Sequence, residues 1–126
     1  MLVISLLLCL LGKSPDLLCT PGMVSQHSLH YICTTPVQRH VTVAMKRQVY
    51  LSYNLPYPNS ETTAHYVIDH LIPLTLGGTN TSQNLWPMLK AQALLKDRQE
   101  MLLHAKVCKG EVLLQDAQEQ MRQYGQ

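Results

Sequence analysis

Residues 66–87, which read YVIDHLIPLTLGGTNTSQNLWP, decide the fold. Residues 66–68 are rich in strand formers and predict a short β-strand, which we expect to continue extended through residues 69–74. Residues 77–80, Gly-Gly-Thr-Asn, predict a turn, and residues 84–86 predict a second short strand that ends at Pro87. The segment therefore predicts a small hairpin with a glycine-containing connection.

Helices are predicted on both sides of this hairpin. Upstream, Met45, Val49 and Tyr53 recur every four residues and predict a helix over residues 42–53. Downstream, residues 88–105 predict the longest helix, and residues 112–124 predict another after a Lys-Gly turn. The remaining stretches predict an irregular arm over residues 19–37 with a strand at 29–33, and a loop over residues 56–63. The expected fold class is α+β, mostly helical.

Composition limits the possible classes of protein. The chain has 126 residues, enough for one domain, with 46% hydrophobic and 14% charged residues, which excludes a disordered chain. No apolar run reaches about 18 residues, so we expect no stable membrane insertion. A net charge of +2 excludes a strongly basic nucleic-acid binder. Because Phe is absent and Trp occurs once, we expect a core of Leu, Val, Ile, Met and Ala.

The amino terminus begins with eleven apolar or small residues, MLVISLLLCLL. This length is typical of the apolar part of a signal peptide. We therefore interpret residues 1–18 as a signal peptide or apolar N-terminal segment, and residues 19–126 as a single domain. The protein would be exported, to the periplasm or beyond, and would be cytoplasmic if residues 1–18 are not a signal.

The cysteines outside the apolar opening are Cys19, Cys33 and Cys108. Their spacing contains no pair of C-x-x-C motifs, which argues against a structural zinc site. In an exported protein we expect one disulfide, between Cys33 and Cys108, because this pair closes the longest loop and would contribute about 4 kcal/mol or more. Cys19 would then be free or paired between chains. In a cytosolic protein the three would be buried thiols.

The chemistry of the predicted hairpin centres on Asp69 and His70, which are adjacent at a strand end. Histidine accepts a proton near neutral pH, and a carboxylate binds hard divalent cations through oxygen. Hydrolysis of a phosphodiester needs both an activated water and neutralised phosphate charge. The glycine turn and Asn84 follow, just before the longest helix.

This order of residues resembles the HNH nucleases of the His-Me finger group, whose core is a β-hairpin packed on one helix (ββα). The resemblance is closer to small bacterial proteins of this type with the pattern DHLIPLxLGGxNxxxNLWP. It covers residues 30–124, and its downstream pieces are Lys96-Asp97, Glu100, Leu103-His104, Val107-Cys108-Lys109-Gly110 and Ala117-Gln118. It implies a ββα-metal core, residues 64–105, with flanking helices.

The resemblance also implies roles for individual residues. His70 would be the general base and Asp69 a metal ligand. Asn84 would hold the loop that aims the histidine, and the backbone of Gly77 and Gly78 would allow that loop to be tight.

The long helix departs from the HNH pattern, because Ala93 stands where many HNH enzymes place a metal ligand. One face of the helix carries Gln92, Lys96, Gln99 and Glu100, and Asp97 points away from it. The opposite side carries Ala91, Leu94, Leu95, Leu102 and Ala105, an apolar stripe of the kind that usually packs on a core, together with Arg98. We therefore expect Gln92 or Glu100 as the second metal ligand and Lys96 facing a phosphate.

The sequence thus predicts a metal-dependent endonuclease that hydrolyses phosphodiester bonds of DNA or RNA. The expected cofactor is a divalent ion, Mg²⁺ first, with Mn²⁺ or Zn²⁺ as alternatives. The expected partner is a nucleic acid substrate, and nothing implies an obligate protein partner. The alternative, favoured by Ala93 and Gln92, is a non-catalytic secreted binding or interaction domain that retains the finger as a scaffold.

Overall fold

The two predicted strands form an antiparallel hairpin in the computed structural model, which describes residues 8–126. The elements in chain order are α1 (Leu29–Thr34), α2 (Val43–Ser52), α3 (Ser60–His65), β1 (Tyr66–His70), β2 (Leu85–Leu89), α4 (Lys90–Cys108) and α5 (Leu114–Arg122). The chain is therefore α+β, as the sequence predicted. Within the described residues, no helix is both long and apolar enough to cross a membrane.

The hairpin register pairs Tyr66 with Leu89 and His70 with Leu85, so both strand ends align. Pro87 pairs with Ile68 inside β2, and the prediction that the strand ends at Pro87 was wrong. Each strand of a two-stranded sheet has one unpaired side, and a proline is tolerated where its missing N–H would lie on that side. The strand therefore continues directly into α4.

The connection between the strands is more folded than the extended segment predicted for residues 69–74. A 3-10 turn covers Leu74–Leu76, Gly77 follows with φ of 86°, and a second 3-10 turn covers Ser82–Asn84. The N-terminal arm runs beside this connection, where Val24 forms a β-bridge with Gly78. The arm thus supports the loop that leads away from His70.

The first three helices begin at capping residues. The prediction for residues 42–53 is confirmed, because the Thr42 side chain accepts the Met45 N–H at the start of α2. The predicted strand at residues 29–33 is helix α1, which Ser28 caps, and the predicted loop at 56–63 contains the start of α3, which Asn59 caps. Both predictions were wrong because these short capped helices carry little apolar periodicity.

Two groups of buried side chains form the core. The first joins α2 to the hairpin and consists of Cys9, Val49, Tyr50, Tyr53, Ile68, Leu71, Leu85, Trp86 and Met88. The second joins the connection to α4 and α5 and consists of Ile72, Leu76, Val107, Ala117 and Met121. The first group contains three large aromatic residues, which corrects the expectation of a core built from Leu, Val, Ile, Met and Ala.

Two disulfides close the fold. Cys33 bonds Cys108, which confirms that prediction and ties α1 to the end of α4. Cys19 bonds Cys9, so the expectation that Cys19 is free or paired between chains was wrong. Two disulfides fit an oxidising environment.

The segment before Cys19 belongs to the folded domain from residue 9 onward. Cys9 is buried, and its N–H donates to the carbonyl of Ser52 at 2.9 Å. Residues 1–7 of the predicted N-terminal segment lie outside the described residues. A chain that began at residue 19 would lack Cys9 and the disulfide it forms.

We expect the two disulfides to contribute unequally to stability. The double variant Cys33→Ser/Cys108→Ser opens a separation of 75 residues and should lower the free energy of unfolding by about 4 kcal/mol. Cys9→Ser/Cys19→Ser opens a separation of 10 residues and should lower it by about 3 kcal/mol. Urea unfolding at one pH measures both values, and a larger loss from the shorter loop would contradict the expectation.

Candidate active site

Lys96 is fully buried, and its ammonium group binds two carboxylates. Nζ lies 2.9 Å from Asp69 Oδ2 and 2.7 Å from Glu100 Oε1. It also donates to the carbonyl oxygens of His70 at 3.0 Å and Leu71 at 3.3 Å. Burial by itself lowers the pKa of Lys96, but the two carboxylates outweigh it and the net shift is upward. The charged side chain therefore fastens α4 to the end of β1.

Two aromatic side chains complete the surroundings of this ion cluster. The indole Nε1 of Trp86 donates to Asp69 Oδ2 at 2.8 Å, so one carboxylate oxygen receives both the indole and the ammonium. The ring of Tyr124 lies 5.5 Å from Nζ of Lys96, within the range of a cation–π contact. Both of these contacts to Asp69 use Oδ2.

Asn80 determines which ring nitrogen of His70 carries the proton. Its Oδ1 accepts the backbone N–H of His40 at 3.0 Å, and its Nδ2 donates to the carbonyl of Gln38 at 3.2 Å, which sets the amide orientation. His70 Nε2 lies 2.8 Å from the same Oδ1 and must therefore carry the proton. The lone pair of the neutral ring is consequently on Nδ1.

Arg39 covers this lone pair. Its NH1 lies 3.3 Å from His70 Nδ1, and its NH2 donates to the carbonyl of Ile68 at 2.9 Å. Burial of the ring lowers the pKa of His70, the hydrogen bond that the ring donates to Asn80 opposes this, and the positive charge of Arg39 lowers it further. The ring is therefore neutral at neutral pH, as a general base must be.

These groups open onto a cleft of about 320 Å³ beside the end of β1. Its lining consists of Val37, Arg39, Asp69, His70, Pro73, Leu74, Thr75, Asp97 and Glu100. The cleft thus places a proton acceptor, a guanidinium group and three carboxylates around one small volume. Such a set can activate water and bind a hard cation together with an anion.

Asn84 holds the loop behind His70. Its Oδ1 accepts the N–H of Ile72 at 2.9 Å, and its Nδ2 donates to the carbonyls of Ile72 at 2.8 Å and Thr79 at 3.0 Å. Gly78 allows this packing, because a Cβ there would overlap the Ile72 carbonyl and lie 2.6 Å from Nδ2 of Asn84. The positive φ of Gly77 turns the chain into this loop.

The structure brings only some of the predicted metal ligands together. Asp69 and Glu100 share Lys96, whereas Gln92 lies elsewhere on α4. Nε2 of Gln92 donates to the carbonyl of Lys13 at 3.2 Å, and its Oε1 is buried without a hydrogen-bond partner in the described part of the chain. Gln92 therefore supports the N-terminal segment and does not line the cleft.

Lys96 does not face a phosphate as predicted, because α4 buries Lys96 completely and half-buries Gln92 and Glu100, whereas Gln99 is exposed. The stripe expected to pack on the core is exposed: Leu94, Leu95 and Leu102 retain 65%, 60% and 56% of their accessible surface, and Met101 on the same side retains 73%. Asp69 and two carbonyls at the end of β1, together with Glu100 on α4, bind the ammonium group in the interior. The exposure of this side also explains the charged Arg98, which would be out of place on a buried side.

Sequence reasoning missed three polar residues of the site: Arg39 and Asp97, which line the cleft, and Asn80, which binds His70. Arg39 lies 31 positions before His70, in a segment with no periodicity or motif. Asn80 lies in the glycine turn, where turn preference already accounts for it. Asp97 was visible beside Lys96 but points away from the stripe that was expected to bind metal.

Asp69, Asp97 and Glu100 are the side chains of the cleft that could hold a hard divalent cation. Asp69 and Glu100 each bind Lys96 through one oxygen, and Asp97 adds a third carboxylate to the cleft. Within residues 8–126, no three His, Cys, Asp or Glu side chains are arranged to hold a metal ion by themselves. Mg²⁺ is commonly bound through one or two carboxylates, with water and substrate phosphate completing its shell.

No protein-family model, curated protein or solved structure matches this chain. The contacts of its own side chains therefore carry the functional proposal.

Removal of the Lys96 charge should destabilise the fold strongly. Lys96→Met keeps most of the side-chain volume but leaves Asp69 and Glu100 without their counter-charge, and should cost about 3–5 kcal/mol. Lys90→Met, at the exposed start of the same helix, is the matched control and should leave stability unchanged. Thermal and urea unfolding measure the difference, and equal stability of the two variants would contradict the role of the cluster.

Proposed function

We propose that this protein is a metal-dependent endonuclease that hydrolyses phosphodiester bonds of DNA or RNA, with His70 as the general base. The observation that carries the proposal is the neutral imidazole of His70, with its lone pair on Nδ1, in one cleft with the carboxylate of Asp69 and the guanidinium of Arg39. The chain order of β1, β2 and α4, together with the packing of α4 on β2, supports a ββα-metal core.

In the proposed reaction, Nδ1 of His70 accepts a proton from the attacking water. Asn80 Oδ1 keeps the opposite ring nitrogen as the donor and stabilises the imidazolium that forms. Asp69, with Glu100 or Asp97, would hold the divalent cation, which neutralises charge on the phosphate and the leaving oxygen. Lys96 acts as a positioning residue, because it orients Asp69 and the carbonyl of His70.

Substrate binding in this proposal depends on few basic groups. The chain carries a net charge of +2. Among residues 8–126, Arg39 is the one Lys or Arg whose side chain lines the cleft. Few phosphate contacts imply modest affinity and a shallow dependence on salt.

The test is nicking of supercoiled plasmid, and cleavage of a labelled RNA, by the full disulfide-bonded chain with Mg²⁺ or Mn²⁺. His70→Ala should lower the rate at least about 100-fold, and a chelator should abolish cleavage. The control His65→Ala changes an exposed histidine that pairs with Glu61 and should retain the rate. Inactivity of the folded chain on both substrates, or equal activity of His70→Ala, would overturn the proposal.

The same assay gives a pH dependence with a defined sign. Protonation of His70 removes the lone pair, so the rate should rise with pH and level off above the pKa of His70. Burial places this pKa below the ordinary value of 6.5, so the acid limb should lie below pH 6.5. An acid limb centred above that pH would contradict the assignment of the base.

A second candidate function is an interaction domain, and the exposed apolar stripe of α4 favours it. Leu94, Leu95, Met101 and Leu102 together expose roughly 500 Å², at the upper end of what single soluble proteins show. We propose a second copy of this chain as the occupant. Two such stripes would bury about 1,000 Å², the lower limit of a stable interface, and a long stem lets Arg98 reach the rim.

Self-association is measured by sedimentation velocity across a concentration series. Wild type should form a dimer, and Leu95→Glu/Leu102→Glu should remain a monomer because each copy would bury two carboxylates. Leu51→Glu, at an exposed leucine of α2, is the matched control and should still form the dimer. A monomeric wild type at every concentration would exclude this interface.

A further inference from the structure

We infer that Arg39 is a phosphate-binding residue that covers Nδ1 of His70 in the free protein and exchanges this contact for the substrate phosphate. The inference rests on the proposed function, since it names the group that recognises the phosphodiester and the way the base becomes free. Substrate binding and uncovering of the base would then be one event.

The backbone around Arg39 is fixed by the same amide that fixes His70. Asn80 accepts the N–H of His40 and donates to the carbonyl of Gln38, on either side of Arg39, while its Oδ1 also accepts from His70. The origin of the Arg39 side chain is thus held relative to the imidazole ring. What can change is the direction of the guanidinium group.

The present contact of Arg39 with His70 is a weak one. NH1 lies 3.3 Å from Nδ1, longer than the usual 2.7–3.2 Å of a protein hydrogen bond, and its acceptor is a neutral ring. NH2 is held more closely, at 2.9 Å from the Ile68 carbonyl. A guanidinium has five donors and binds phosphate oxygens in a bidentate, charge-assisted way, so a phosphate in the cleft offers it stronger partners.

Among the positively charged side chains near the cleft, Arg39 is the one placed to bind a phosphate. Lys96, the other cation nearby, is fully buried and bound by two carboxylates and two carbonyls. Arg39 is exposed and lines the cleft beside Asp69, Asp97 and Glu100. An anion that enters among three carboxylates therefore needs the guanidinium, alone or with a cation.

The covered lone pair is the second part of the inference. Nδ1 is the atom that must accept the proton, and a donor placed on it keeps water from that position. Movement of Arg39 to a phosphate oxygen would expose Nδ1 as the substrate arrives. No covalent bond changes in this step, because one hydrogen bond replaces another.

The experiment titrates the full disulfide-bonded chain with dimethyl phosphate, a phosphodiester mimic, and follows the ¹⁵N signals of the histidine rings by NMR at pH 7.5. In wild type the Nδ1 signal of His70 should move downfield as its hydrogen bond is lost. Arg39→Gln should weaken binding about tenfold or more, and Arg39→Lys should restore part of it. Arg47→Gln, on the exposed side of α2, should bind as wild type does.

Kinetics supply an independent readout where cleavage is observed. Arg39→Gln should raise KM for an oligonucleotide about tenfold or more, while kcat changes less, because its base is never covered. The NMR titration needs no turnover, so a chain that binds the mimic through Arg39 but cleaves nothing would refute the nuclease and keep the phosphate site. Unchanged binding by Arg39→Gln, or an Nδ1 signal of wild type that does not move, would overturn the inference.

Discussion

A single buried ammonium group determines the geometry of this protein. Lys96 lies in the interior with Asp69, Glu100 and the carbonyls of His70 and Leu71 at the end of β1 as its partners. A buried charge is costly unless its hydrogen bonds are made, so these groups must converge wherever Lys96 is placed. The hairpin can therefore meet α4 in one register only, and the direction of His70 follows from that register.

The same constraint explains why α4 is turned with its apolar stripe outward. A helix cannot bury both Lys96 and the leucines on the opposite side against the same hairpin. The ion cluster takes the inner side, with Trp86 and Tyr124 packed around it, and Leu94 and Leu102 remain exposed. Burial of the cluster thus leaves the surface from which the interaction-domain alternative arises.

Local patterns predicted the hairpin, three of the five helices described for residues 8–126, and the disulfide between Cys33 and Cys108, because each depends on periodicity, capping or loop length. These patterns failed where a residue distant in the sequence determines the position of a side chain. Periodicity predicted that the leucines of α4 are buried, because it takes no account of the two carboxylates that form ion pairs with buried Lys96. Arg39 was not predicted for a similar reason. Its partner His70 is 31 residues away in the sequence, and the Asn80 amide that binds His70 also holds the backbone on both sides of Arg39.

The charges of the cleft set the conditions under which it can bind a phosphodiester. Asp69, Asp97 and Glu100 line the cleft with three negative charges and Arg39 lines it with one positive charge. Buried Lys96 adds a second positive charge through its ion pairs with Asp69 and Glu100, while His70 is neutral. The sum is one negative charge, which repels an anionic substrate at short range. A divalent cation would reverse that sign, and the guanidinium of Arg39 would direct the phosphate to it. Cation and substrate should therefore bind cooperatively, each lowering the electrostatic cost of the other.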